Sequence, residues 1–131
     1  MSIIRRIINV CALLLCVIGC SKSAQTSENK DEYYVKYVFQ YSKENIHSDK
    51  ATAIFTFTDE HLNSQTRNYI GTGAKDEIIC GPFKRGDRIT ASCVLTSSIT
   101  YSYNIEIQVS KNNSPFALKG SGEIIDYIID Y

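Results

Sequence analysis

Residues 99–110 read ITYSYNIEIQVS, and the order of apolar and polar side chains in them decides the class of fold. Ile99, Tyr101, Tyr103, Ile105, Ile107 and Val109 occupy one phase, and Thr100, Ser102, Asn104, Glu106, Gln108 and Ser110 the other. Side chains of an extended chain point alternately to opposite faces, so this repeat of two predicts a long strand with one face buried and one in water. The following Lys111-Asn112-Asn113-Ser114 reads as a hairpin turn, since asparagine tolerates the left-handed backbone that such turns need. Residues 116–119 are then predicted to pair back.

The same period recurs outward in both directions. In 33–41 (YYVKYVFQY) Tyr33, Val35, Tyr37, Phe39 and Tyr41 share one face, and in 51–58 (ATAIFTFT) Ala51, Ala53, Phe55 and Phe57 oppose Thr52, Ile54, Thr56 and Thr58. The β-branched and aromatic content of both stretches favours strands. Shorter strands are predicted over 66–71 and 77–80, with a longer one over 88–96 (Ile89, Ala91, Cys93 and Leu95 inward). A last strand covers 124–131, with Ile125, Tyr127, Ile129 and Tyr131 on one face. Gly120-Ser121-Gly122 breaks the chain before it, as a bulge or a crossover between sheets. About seven short strands separated by turn signals, without sustained helical periodicity, predict an all-β fold: an antiparallel two-sheet β-sandwich of immunoglobulin-like architecture, with a small open barrel as the alternative.

The N-terminus has a different character. Arg5 and Arg6 precede an apolar run over 7–18 broken only by Asn9, the pattern of a secretory signal and too short to span a bilayer, which takes ~20 apolar residues. Val17-Ile18-Gly19-Cys20 resembles the bacterial lipobox, which implies cleavage before Cys20 and a diacylglycerol on its thiol. Residues 1–19 are then a lipoprotein signal peptide, 20–32 the lipidated cysteine and a flexible tether, and 33–131 the β-sandwich domain. The tether SKSAQTSENKDE holds no aromatic and only one small apolar residue, so it cannot bury a core. Serine rather than aspartate at position 21 favours the outer membrane; whether the domain faces the periplasm or the exterior stays open. Loss of Arg5 and Arg6 leaves 12 basic residues against 14 acidic, a net charge of −2 with no basic patch. The partners expected are therefore the membrane, through the lipid, and another envelope protein, with no nucleic acid.

Four segments together look like small Bacteroides-type lipoproteins with immunoglobulin-like folds: the opening Tyr34-Val35-Lys36-Tyr37, then ATAIFTFTDE (51–60), GPFKRGDRITASC (81–93) and the IEIQV strand (105–109). More distantly they are similar to the MmpS family of transport accessory proteins. The resemblance implies a β-sandwich without catalytic residues.

Candidate chemistry is sparse. Arg85-Gly86-Asp87 spells the tripeptide that adhesive proteins present to integrins; equally, Gly86 can supply the positive φ of a tight turn between anchors Phe83 and Ile89. Cys80 and Cys93 would reach an oxidising compartment, either bridged as a disulfide or as two buried thiols. His47 and His61 lie in polar loops without zinc-ligand spacing. The acids Asp59-Glu60 and Asp126/Asp130 read as solvated surface, and Gly71-Thr72-Gly73 as a plain turn. Most of the nine tyrosines fall on inward phases, while Tyr34 and Tyr69 fall off them and read as surface aromatics. The chain is thus expected to be a non-enzymatic envelope lipoprotein with no metal or cofactor, acting as a binding or accessory module. The alternative is an adhesin using the Arg85-Gly86-Asp87 turn.

Overall fold

A computed structural model describes residues 30–43, 52–70, 73–95 and 101–131. Eight strands follow in order: β1 (Tyr33–Lys43), β2 (Thr52–Thr58), β3 (Ser64–Ile70), β4 (Gly73–Phe83), β5 (Arg88–Leu95), β6 (Tyr101–Lys111), β7 (Ala117–Gly122) and β8 (Ile124–Ile128). They form two four-stranded antiparallel sheets, ordered β4-β1-β6-β7 (sheet A) and β3-β2-β5-β8 (sheet B). The fold is a β-sandwich of immunoglobulin-like layering, and the sheets do not close into a barrel. Only two connections, β2 to β3 and β6 to β7, stay within a sheet; every other one carries the chain across the sandwich.

Within the described residues, the inward rows anticipated by alternation make the core; Ala51, Ile99 and the side chain of Tyr101 lie outside them. On β1, Tyr33, Val35, Tyr37 and Phe39 are fully buried and Tyr41 nearly so, facing Phe55, Phe57, Ile89 and Ala91 of sheet B. Phe39 stacks on Phe55 with centroids 5.0 Å apart and planes 10° apart, and Tyr37 lies 5.3 Å from Phe57. Each such ring removes roughly 150–250 Å² from water. At ~25 cal/mol per Å² each ring so buried contributes about 4–6 kcal/mol to folding. Interior tyrosines also carry a hydroxyl that needs a partner. Tyr37 donates to the Thr58 carbonyl at 2.6 Å, a bond between the sheets, and Tyr33 donates to the Tyr131 carbonyl at 2.6 Å, tying β1 to the last residue of the chain. Among the described residues, no buried side-chain polar atom lacks a partner.

Three expectations need correction. The fourth strand is eleven residues long instead of four, because its inward phase begins with Ala74 and Asp76, which do not look like core. Asp76 is tolerated at this sheet edge because the Tyr69 hydroxyl donates to it and Arg67 lies 3.5 Å away. Tyr69 is accordingly not a surface aromatic. The pairing of Ala53 with Tyr69 and Phe55 with Arg67 turns Tyr69 inward, and its ring stacks on Phe39 at 5.2 Å. Its hydroxyl pKa is raised, first by burial and then by its bond to Asp76. Third, Tyr131 lies beyond β8 and is exposed, with the Lys119 ammonium 3.7 Å from its ring centroid.

The glycine segment serves both roles expected of it. The β6–β7 register slips by one residue between Ile107 and Gln108, and Gly122, at φ +153°, ends β7 where the chain leaves sheet A for sheet B.

Candidate functional site

One end of the sandwich gathers the sequence features of interest. β1 begins there at Tyr33, which pairs with Phe83 at the end of β4 and Lys111 at the end of β6. The β4–β5, β6–β7 and β2–β3 turns and the C-terminus therefore share the end at which the chain enters the domain.

The Arg85-Gly86-Asp87 segment completes a four-residue turn that starts at Lys84, closed by the Asp87 amide donating to the Lys84 carbonyl at 3.1 Å. Gly86, the second central residue, has φ +92°, the conformation for which glycine is suited. The Asp87 carboxylate accepts the Lys84 amide proton at 2.8 Å, clasping the turn from within. Two backbone bonds then fasten it to the last segment of the chain. The Gly86 amide donates to the Ile129 carbonyl at 2.7 Å, and the Ile129 amide donates to the Asp87 carbonyl at 3.0 Å. Phe83 and Ile89 anchor the flanks, both essentially fully buried, while Lys84, Arg85 and Gly86 are exposed. The tripeptide is thus an inter-sheet corner whose acid is occupied by its own backbone.

Beside this corner the entering chain is bound more firmly than a tether reading implies. Asp31 pairs with Lys111 at 2.9 Å and accepts the Asn112 side-chain amide at 2.8 Å. Asn112 and Glu32 exchange two more bonds: the Glu32 amide donates to the Asn112 side-chain oxygen and the Asn112 amide to the Glu32 carbonyl, both at 2.9 Å. Asn112 and Asn113 hold the positive φ values expected of that turn, 48° and 62°. Hydrogen bonds from Lys111 and Asn112 keep the Asp31 carboxyl below its ordinary range. Residues 31 and 32 thus belong to the domain. Asn112 is the fastening residue that sequence reasoning saw only as a turn former, since its partner lies 81 positions away. A depression of about 250 Å³ lies between Lys30, Asp31, Tyr33, Lys84 and Arg85.

Cys80 and Cys93 are free thiols, so the disulfide alternative gives way to buried thiols. They lie in different sheets: Cys80 is on edge strand β4 opposite Val35, and Cys93 is on central strand β5 opposite Phe55. Burial pushes both thiols up to about 11, with Glu60 and Asp59 adding to the effect at Cys80. A thiol so protonated is a poor nucleophile.

The acids are committed to structure. Asp59 caps the β2–β3 turn, accepting the His61 and Asn63 backbone amides at 2.9 Å through one oxygen and the Gln65 side-chain Nε2 at 2.7 Å through the other. Those bonds, Asn63 first, lower its pKa against an opposing desolvation. Asp126 is held by the Arg88 guanidinium through both oxygens, and Asp130 accepts the Tyr127 hydroxyl at 2.8 Å. Among the described residues, no three His, Cys, Asp or Glu side chains converge as a metal site. Cys20, His47, Gly71 and Thr72 lie outside the described residues.

Tyr34 is the outward aromatic that alternation anticipated. It is partly buried over Gly81, on the wall of a shallow groove of about 260 Å³ with Ile79, Asn113 and Phe116. No protein-family model, curated protein or solved structure matches the chain.

Proposed function

We propose that the chain is a lipid-tethered protein of the bacterial outer membrane, a non-enzymatic binding or accessory module that a diacylglyceryl Cys20 holds at the surface. The signal-like N-terminus and the lipobox-like Val17-Ile18-Gly19-Cys20 motivate the anchor. The observation that carries the reading furthest is the fastening of residues 31 and 32 to Lys111 and Asn112. A tether joined at that point transmits its position to a rigid sandwich, with the Arg85 turn on the membrane side and the other end of the sheets presented outward. A flexible chain of about ten residues would reach roughly 15–20 Å, enough to stand the domain clear of the headgroups.

The Arg85-Gly86-Asp87 turn is best read as part of the fold under this proposal. Integrin-type recognition uses a free aspartate, whereas Asp87 is bonded to the Lys84 amide and its turn lies at the tethered end. Membrane fractionation tests the anchor. The wild-type chain should sediment with the outer membrane, and Cys20→Ala should keep its uncleaved signal or appear in soluble fractions. Equal outer-membrane recovery of both chains would reject the lipid anchor.

A further inference from the structure

Several lysines and arginines among the described residues already have a partner. Arg67, Arg88 and Lys111 pair with Asp76, Asp126 and Asp31, and the Lys36 and Lys119 ammonium groups lie over the Phe116 and Tyr131 rings. Lys30, Lys75, Lys84 and Arg85 have neither an ion pair nor a ring among the described residues, and all four are exposed. Three of these four, Lys30, Lys84 and Arg85, line a single depression of about 250 Å³ at the end where the chain enters the domain, with buried Tyr33 at its floor. The one acid in its lining does not cancel them. The Asp31 carboxylate is engaged by Lys111 at 2.9 Å and by the Asn112 side-chain amide at 2.8 Å. Those two bonds are the main causes of its lowered pKa, and the charge of Arg85 adds to them. Of the other acids at this end, Glu32 accepts the Tyr34 hydroxyl at 3.4 Å, Asp87 the Lys84 backbone amide at 2.8 Å and Asp130 the Tyr127 hydroxyl at 2.8 Å.

We infer that this depression binds the phosphate of an anionic lipid headgroup, held among Lys30, Lys84 and Arg85, in the membrane that carries the chain, a reading that rests on the lipid anchor at Cys20. Three features favour that occupant. The chemistry is complementary: the Arg85 guanidinium is a planar fork that matches two phosphate oxygens, and the lysine ammonium groups act as point charges beside it. The size suits a single phosphate group, since pockets for whole drug-sized molecules begin at roughly 300 Å³ and this one is smaller. Placement is the third. The chain reaches the domain at Lys30, so a flexible tether of about ten residues keeps the depression within roughly 15–20 Å of the lipid on average. A short flexible linker raises the effective concentration of what it joins to the millimolar range. A site too weak to retain phosphate from solution is then filled by the membrane beside it. Occupancy sets the Arg85 corner against the headgroups and leaves the opposite end of both sheets free.

Nuclear magnetic resonance of the full chain in nonionic micelles tests it, with phosphatidylglycerol, phosphatidylcholine or inorganic phosphate added in turn. The Lys84, Arg85 and Gly86 amides should shift and saturate as phosphatidylglycerol is raised. Phosphatidylcholine, whose headgroup is neutral overall, should require roughly fivefold more. Lys84→Gln combined with Arg85→Gln should raise the phosphatidylglycerol needed for half-saturation roughly tenfold or more. The unfolding midpoint should not move, because both side chains are exposed and backbone atoms of Lys84 and Asp87 close the turn. Lys75→Gln removes the fourth unmatched cation, paired opposite Gln40 on sheet A and away from the depression, and should change nothing. Any of four results would overturn the inference: no shift at the corner with phosphatidylglycerol, half-saturation unaltered by the double variant, an equal loss from Lys75→Gln, or saturation by inorganic phosphate at no higher concentration, which would make the ligand a free anion. The micelle supplies the lipid, so a missing anchor at Cys20 would leave the titration readable, and a failed titration would leave the anchor proposal standing.

Discussion

Replacing Gly86 by alanine isolates the reason that the β4–β5 corner is spelled as it is. At φ +92° an L-residue is strained, while a Cβ built there meets no atom within 4 Å, so packing contributes nothing to the penalty. Left-handed backbone costs a non-glycine residue about 1–2 kcal/mol. For a domain of about 100 residues, that lowers the thermal midpoint by roughly 5–15 °C. Asparagine, which tolerates this region better, should cost roughly half as much. Gly81 supplies the contrast. Its φ is +148°, and a Cβ there would lie 2.7 Å from the Tyr34 ring and 2.9 Å from the Tyr33 carbonyl oxygen, so Gly81→Ala adds a steric clash with backbone to the strain. It should exceed the Gly86→Ala cost by at least ~1 kcal/mol. Urea unfolding followed by circular dichroism and tyrosine fluorescence, free of interference because the chain has no tryptophan, gives all three values. A Gly86→Ala protein as stable as wild type, or one less stable than Gly81→Ala, would refute the reasoning.

Other expectations follow from the same geometry. Phe55→Ala should cost about 3–5 kcal/mol in urea unfolding, since it removes a fully buried ring stacked on Phe39. Cys80 and Cys93 should resist a thiol reagent in the native state and react fully in denaturant; because their folded pKa values are raised to about 11, the stability they contribute is complete below the ordinary thiol range and lost as pH rises from there through about 11. Replacing both by alanine should flatten that alkaline loss in a midpoint-versus-pH series. Asp59 has a depressed folded pKa, so its contribution is complete above pH ~4 and lost as pH falls further; Asp59→Ala should shrink the fall in midpoint on acidification. Asp87→Glu should leave a folded protein within about 1 kcal/mol of wild type, the worth of the one exposed bond it disturbs at the Lys84 amide.

Legibility followed the inward phase of each strand. β1, β2, β5 and β6 could be read because the inward phases of their described residues are almost wholly apolar, and Phe83, Gly86 and Ile89 behave as local chemistry predicts. β4 is longer than its apolar pattern suggests because Asp76 occupies an inward position, and the hydroxyl that makes it tolerable comes from Tyr69 on the other sheet. The inward position of Tyr69 has no local signal, because the phase of β3 is fixed by its register with Ala53 and Phe55; its inward row, Gln65, Arg67 and Tyr69, is polar where the sandwich edge opens to water. The cysteines, thirteen positions apart on consecutive strands, invited a bridge that the crossing from sheet A to sheet B does not make. The fastening of Asp31 and Glu32 by Asn112 has no local signature, because its partners are distant in sequence and meet only once β1 and β6 pair.

The tethered-module account stands or falls on the N-terminus of the mature protein. Intact-mass and peptide mass spectrometry of the chain extracted from membranes should find Cys20 as the first residue, carrying a diacylglycerol on its thiol. An N-terminal peptide that retains residues before Cys20, or an unmodified Cys20, would contradict it.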